Sequence, residues 1–120
     1  MLFIEYPKCS TCKKAKKFLE DNNITYNDRN IKEDNPSKKE LKDFINKSNK
    51  DINKFFNTSG MLYRENDLKN KIKTMSFEEK IELLSTDGML VKRPILVTDK
   101  KVLIGFNEEE WKKNILWCMI

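Results

Sequence analysis

The chain of 120 residues contains no histidine and only three each of cysteine, glycine and proline. Without histidine there is no imidazole base, so Ser-His or Cys-His nucleophilic machinery is excluded, and so is every metal site built on imidazole. With one C-x-x-C and no second, a closed four-ligand zinc site within the chain is excluded as well, and no metal is expected. Three scattered glycines rule out a glycine-rich phosphate loop. No apolar run approaches the roughly 18 residues that a membrane span needs, and no stretch reads as a signal peptide. With so few cysteines, a reducing cytoplasmic compartment is expected, and no membrane association. Arginine is scarce too: of 24 basic residues only Arg29, Arg64 and Arg93 are arginines. Where the chain departs from lysine, the planar bidentate fork of a guanidinium is therefore of interest.

The formal net charge is +5, with 36% charged residues. Basic and acidic side chains are interleaved, without a lysine or arginine block or a nucleic-acid-binding signature. This is a solvated surface, and direct nucleic-acid binding is not expected. The length suits one domain with an ordinary core, and a monomer is expected.

Cys9-Ser10-Thr11-Cys12 is the stretch that carries chemistry. The apolar run at residues 2–6 reads as a strand closed by Pro7, and from Thr11 the apolar period changes to that of a helix. Cys9 then falls at the helix N-cap, where unpaired backbone N–H groups and the positive dipole end favour a thiolate. Cys12, Ala15, Phe18 and Leu19 share the inward face. Cys9 is the candidate nucleophile and Cys12 the candidate resolving thiol. Ser10 and Thr11 are placed to hydrogen-bond the Cys9 sulfur or simply to be small at a helix start.

Residues 25–31 read as a second strand, completing a β-α-β unit. Ser37 with Glu40 and Ser76 with Glu79 form capping-box patterns that open helices. A short helix is expected from Asp51, and a turn at residues 61–65 leading into a helix near residues 68–72. In the helix after Ser76, the residues Phe77, Ile81 and Leu84 form the inward face, and Asp87-Gly88 stops it. Residues 95–98 and 102–105 read as a hairpin. Asn107 with Glu110 opens a last helix on which Trp111, Ile115 and Cys118 share a face, making Cys118 a packed thiol or a second resolving one. The expected fold is α/β of the thioredoxin/glutaredoxin type, in the order β-α-β, helices, β-β-α, with a helical subdomain inserted at about residues 36–88 of a single domain.

Four blocks carry a family resemblance: Tyr6 to Ala15, Phe56 to Arg64, Asp87 to Ile95, and Gly105 to Glu109. In order and spacing they resemble the arsenate reductase (ArsC)/Spx family, small C-x-x-C branch. The resemblance implies a cis proline at Pro94 facing the cysteines, attack by Cys9 on an oxidised centre, and an anion site using Arg64 and Arg93. It implies no bound cofactor, with thioredoxin or glutathione/glutaredoxin as external reductant. Glutathione-linked arsenate reductases lack a cysteine at the position of Cys12 and carry a third arginine where this chain has Phe106-Asn107. Spx regulators share the C-x-x-C as a redox switch and bind the C-terminal domain of the RNA polymerase α subunit. The chain is thus expected to be a thiol-disulfide oxidoreductase, with arsenate among its candidate substrates, or else a redox-sensing regulator binding RNA polymerase α.

Overall fold

Alternation along three of four short strands sorts the apolar residues onto two faces of one sheet. A computed structural model describes residues 1–116. Strand β1 (Leu2–Glu5) runs parallel to β2 (Asn27–Asn30) and antiparallel to β3 (Ile95–Val97), which pairs with β4 (Val102–Ile104), in the order β2-β1-β3-β4. Because successive side chains point to opposite faces, Phe3, Leu96 and Leu103 go one way and Ile4, Ile95, Val102 and Ile104 the other.

Helix α1 (Ser10–Asp21) covers the first face with Ala15, Phe18 and Leu19. Helix α6 (Glu108–Trp111), continued by a π-helical turn over Lys112–Leu116, adds Trp111 and Ile115. Fully buried Trp111 stands edge-on to Phe3, Phe18 and Phe106, and its indole N–H donates to the Gly105 carbonyl at 3.2 Å. A buried indole with its one donor satisfied anchors the chain beyond β4.

The second face is covered by the helical segment between β2 and β3: α2 (Lys38–Ser48), α3 (Met61–Glu65), α4 (Leu68–Lys71) and α5 (Phe77–Leu84), with short 3-10 turns between them. Leu41, Phe44, Phe55, Phe56, Ile81 and Leu84 fill this side of the core. The expected capping boxes are formed at Ser37/Glu40 and Ser76/Glu79. This is a thioredoxin-like fold carrying a helical insert.

Three expectations are corrected. Residues 61–65 form α3 rather than a turn, because Tyr63 is buried against Phe56 at 6.3 Å between ring centroids. Phe77 is 45% exposed, since at the first helical position it lies outside the face that Ile81 and Leu84 turn inward. Asp87-Gly88 does not stop α5 directly; Asp87 instead caps a 3-10 turn over Gly88–Leu90. The expectation for Cys118 lies outside the described residues.

Arg29 has a structural role. Its guanidinium donates to both Glu40 oxygens, at 2.7 and 3.0 Å, and its Nε donates to the Asp34 carbonyl at 2.9 Å, tying β2 to α2. The Arg29 hydrogen bonds, with help from the Ser37 amide and against the penalty of burial, hold the Glu40 carboxyl at about 2. A depressed carboxyl stabilises the fold fully above its ordinary value of 4.5, and that contribution is lost as pH falls toward 2. Glu40 is one-third exposed, so screening reduces the effect: Glu40→Gln is expected to cost about 1 kcal/mol at pH 7. Urea melts of the two proteins should draw together below pH 4.5 and converge only near pH 2; a gap that persists there would contradict this account.

Candidate functional site

The strand-to-helix junction is closed tightly. After Pro7 the chain turns so that the Cys9 amide donates to the Tyr6 carbonyl at 3.0 Å, and the Lys13 amide then takes the Cys9 carbonyl at 3.1 Å as the first helical bond. Cys9 is the N-cap, extended at φ −85° and ψ 123°, and its sulfur accepts the Cys12 amide at 3.4 Å. A sulfur thus stands where serine or aspartate usually caps a helix, facing the positive end of a three-turn dipole.

The two thiols are pushed apart. Burial raises Cys9, but it is outweighed by hydrogen bonds from the Cys12 thiol and amide, the Arg93 charge and the Thr11 amide, so its pKa falls below the ordinary thiol value. Cys12 is fully buried, and burial drives its thiol up to about 12, reinforced by Cys9 and Glu5 and opposed by a backbone hydrogen bond at Tyr6. Half-buried Cys9 is thus the more readily ionised of the two sulfurs, and Cys12 the one that keeps its proton. Both thiols are free.

Arg93 faces this turn from the strand side. Its peptide bond to Pro94 is cis, and the Pro94 carbonyl accepts the Gly105 amide at 2.8 Å, fixing the segment at the start of β3. The guanidinium carbon lies 5.3 Å from the Tyr6 ring centroid, a cation–π contact, while the buried Nε and Nη1 have no hydrogen-bond partner. A buried, unpaired guanidinium donor carries a desolvation penalty that an oxyanion or carboxylate would relieve.

Cys9, Ser10, Thr11 and Arg93 line one cavity of about 600 Å³ together with Asn57, Ser59, Gly60, Lys50, Lys92, Asn107 and Glu110. The turn at residues 57–60 is held to the Arg93 segment by bonds from the Asn57 amide to the Leu90 carbonyl (2.8 Å) and from its side-chain amide to the Met89 carbonyl (3.3 Å). Arg64 is not in that lining. It is exposed on α3, its Nη2 donating to the Ser59 carbonyl at 3.3 Å. Of the residues expected at the site, Cys9, Ser10, Thr11 and Arg93 share this cavity, Cys12 is hydrogen-bonded to the Cys9 sulfur, Pro94 follows Arg93 across the cis bond, and Arg64 is not part of the lining.

Sequence reasoning missed Lys50, Lys92, Glu110 and the buried Glu5. Lys92 adjoins Arg93 and was open to inference from that neighbour. Lys50 and Glu110 form an ion pair of 3.4 Å across the cavity although 60 residues apart, for which the sequence holds no signal. Among the described residues there is no cluster of three metal-ligating side chains. No described helix is long and apolar enough to cross a membrane.

Because the Arg93 charge helps to hold the Cys9 pKa down, Arg93→Met is expected to move the ultraviolet thiolate titration of Cys9 to higher pH. Alkylation by iodoacetamide at pH 7 should slow by roughly 3- to 10-fold. An unmoved titration would mean that the helix terminus alone sets the pKa.

Comparison with known proteins agrees with the geometry. The ArsC family model matches residues 4–114. An ArsC family related protein from Bacteroides fragilis superposes with a TM-score of 0.92 at 55% identity, covering 93% of this chain and 94% of that one. Uncharacterized protein YusI from Bacillus subtilis is 51% identical over 114 residues, 95% of this chain and 97% of that protein. Global transcriptional regulator Spx 2 from Bacillus anthracis is 31% identical over 105 residues, 88% of this chain and 79% of that protein.

Proposed function

The chain belongs to the ArsC family, and on that premise we propose that it is a cytoplasmic thiol-disulfide oxidoreductase with Cys9 as nucleophile and Cys12 as resolving thiol. The observation that carries this reading is the unpaired buried guanidinium of Arg93 in the same cavity as a thiol of lowered pKa. A cation without an anion beside a nucleophile without an electrophile fits a substrate that supplies both.

With a disulfide as substrate, the Cys9 thiolate attacks one sulfur, the other leaves as a thiolate, and Cys9 is held in a mixed disulfide. Cys12 then attacks the Cys9 sulfur and the second thiolate departs, so the two electrons lost in forming the Cys9–Cys12 disulfide leave on the two substrate thiolates. With arsenate, Cys9 displaces an oxygen as water to form a thioester of arsenic(V). Attack of Cys12 on the Cys9 sulfur then leaves the bonding pair on arsenic, giving arsenite. In both cases thioredoxin or glutathione/glutaredoxin reduces the disulfide. No metal or bound cofactor takes part.

Arg93 holds the anion in this reading. Arg64 is its second ligand once its guanidinium leaves the Ser59 carbonyl. Ser10 and Thr11 offer hydroxyl and amide donors in the cavity lining, and Pro94, whose carbonyl accepts the Gly105 amide, supports the site beside Arg93.

The test is NADPH consumption with arsenate and, separately, with a small disulfide such as hydroxyethyl disulfide, each rate taken above that of the coupling system without the protein. Each is coupled to thioredoxin with its reductase and to glutathione with glutaredoxin. Turnover with either oxidant supports the enzyme, and the coupling system that sustains it identifies the reductant. The likeness to Spx 2 favours one other reading, a redox switch that binds the C-terminal domain of the RNA polymerase α subunit without turnover. Silence in all four assays, with capture of that subunit that changes on Cys9–Cys12 oxidation, would replace the enzyme with the switch.

A further inference from the structure

Glu5 is the buried charged residue among those described, 4% exposed, and nothing in the chemistry above uses it. It is the last residue of β1. The parallel register sets Phe3 opposite Asp28 and Glu5 opposite Asn30. With a side-chain period of two, Glu5 shares the α1-covered face with Phe3 and lies diagonal to Asp28. Cys12 heads the buried stripe of α1 over this same face, at the end where β1 runs into the turn. One helical turn on, the Lys16 ammonium meets the Asp28 carboxylate at 2.9 Å, both groups partly exposed. The groups facing Glu5 are therefore Cys12 and Lys16 from α1 and Asp28 from β2. The antiparallel neighbour β3 presents only Ile95, Leu96 and Val97.

We propose that Glu5 accepts the Cys12 proton as Cys12 attacks the mixed disulfide, and passes it through Asp28 to solvent. The proposal rests on the reading of Cys9 and Cys12 given above. In the step, the Cys12–Cys9 S–S bond forms and the bond from Cys9 to the substrate sulfur breaks, with the electron pair leaving on that sulfur. The Cys12 proton goes to a Glu5 oxygen, and the departing thiolate is stabilised or protonated by solvent. When external reductant reopens the disulfide, a proton taken up from solvent along the same route returns to Cys12.

Burial supplies the reason for such an acceptor. It holds the Cys12 thiol well above the ordinary value, so unaided attack by Cys12 at neutral pH would be slow. Glu5 itself is held by burial, by its hydrogen bond with Asp28 and by the charge of Asp28 at about 7, against a smaller opposing pull from Lys16. A carboxyl that titrates near 7 inside the protein both accepts and releases a proton at neutral pH, where an ordinary glutamate at 4.5 is too weak a base.

The test uses full-length protein carrying Cys118→Ala, so that only two thiols react, and one equivalent of the chromogenic disulfide dithiobis(nitrobenzoate). Attack by Cys9 releases the first coloured thiolate, and resolution by Cys12 releases the second. For wild-type Glu5 the second phase should accelerate through an inflection near pH 7. In Glu5→Gln it should slow by about 100-fold at pH 8 and lose that inflection. Glu5→Asp should retain the inflection. Asp28→Asn removes the hydrogen bond and charge that add to burial in raising Glu5, so its inflection should move to lower pH, which keeps the proposal testable should Glu5→Gln not fold. A second phase whose rate and pH profile are the same with and without Glu5 overturns the proposal alone, as does an Asp28→Asn inflection that does not move. Absence of the first phase would instead overturn the assignment of Cys9, and this proposal with it.

Discussion

Cys9→Ser is expected to abolish reductase turnover, by at least about 10⁴-fold, while leaving the fold as stable as before. The serine hydroxyl ionises far above neutral pH, so the Cys12 and Thr11 amides and the Arg93 charge that together lower the Cys9 pKa have no anion to stabilise. The same hydroxyl is a better N-cap than sulfur, and the amide of Cys12 is already directed at that position at 3.4 Å. Thermal melting should therefore be unchanged or slightly raised, which separates lost chemistry from lost structure. Cys12→Ser should behave differently. Cys9 still attacks, but nothing resolves the product, so a mixed disulfide should accumulate and be visible as an adduct by mass spectrometry. Retained turnover in Cys9→Ser, or an adduct located on Cys12, would reverse the two assignments.

The legible parts of this molecule were those whose cause is local. Ser37/Glu40 and Ser76/Glu79 are reciprocal caps within one turn, and the C-x-x-C marks a strand-to-helix junction by a change of apolar period; each is written in a few adjacent residues. Helix α3 is not. It begins at Gly60 with no side-chain cap, and is held by Tyr63 packing on Phe56, a tertiary contact that no window of the sequence reports. The site divides in the same way. Cys9, Cys12 and Arg93 stand in recognisable blocks, whereas Lys50 with Glu110 and Glu5 with Asp28 meet only because the sheet and the insert bring distant segments together. Arg64 shows the limit of a motif, which places a residue in the chain but leaves the direction of its side chain to the local hydrogen bonds, here the one to the Ser59 carbonyl.

Gly88→Ala should be the most damaging substitution outside the reacting groups. A Cβ built on Gly88 would lie 1.9 Å from the carbonyl oxygen of Ile31 and 2.7 Å from its carbon. Both are backbone atoms, so no side-chain rotation relieves the clash. Ile31 is itself fully buried, and its amide is bonded to the Glu5 carbonyl at 2.9 Å, which limits retreat on that side. The segment holding Gly88 must give way instead, at a cost of about 3 kcal/mol, or a fall in Tm on the order of 10 °C. That segment leads directly into the site: the Leu90 carbonyl accepts the Asn57 amide, Val91 bridges to Phe56, and Arg93 follows two residues later. Displacing it should draw the guanidinium away from Cys9, so the folded fraction of Gly88→Ala should also show a raised Cys9 titration, in the direction expected for Arg93→Met. A variant that melts normally and titrates normally would show that the contact between Gly88 and Ile31 has slack, and that Arg93 is positioned by the β3 end of its segment alone.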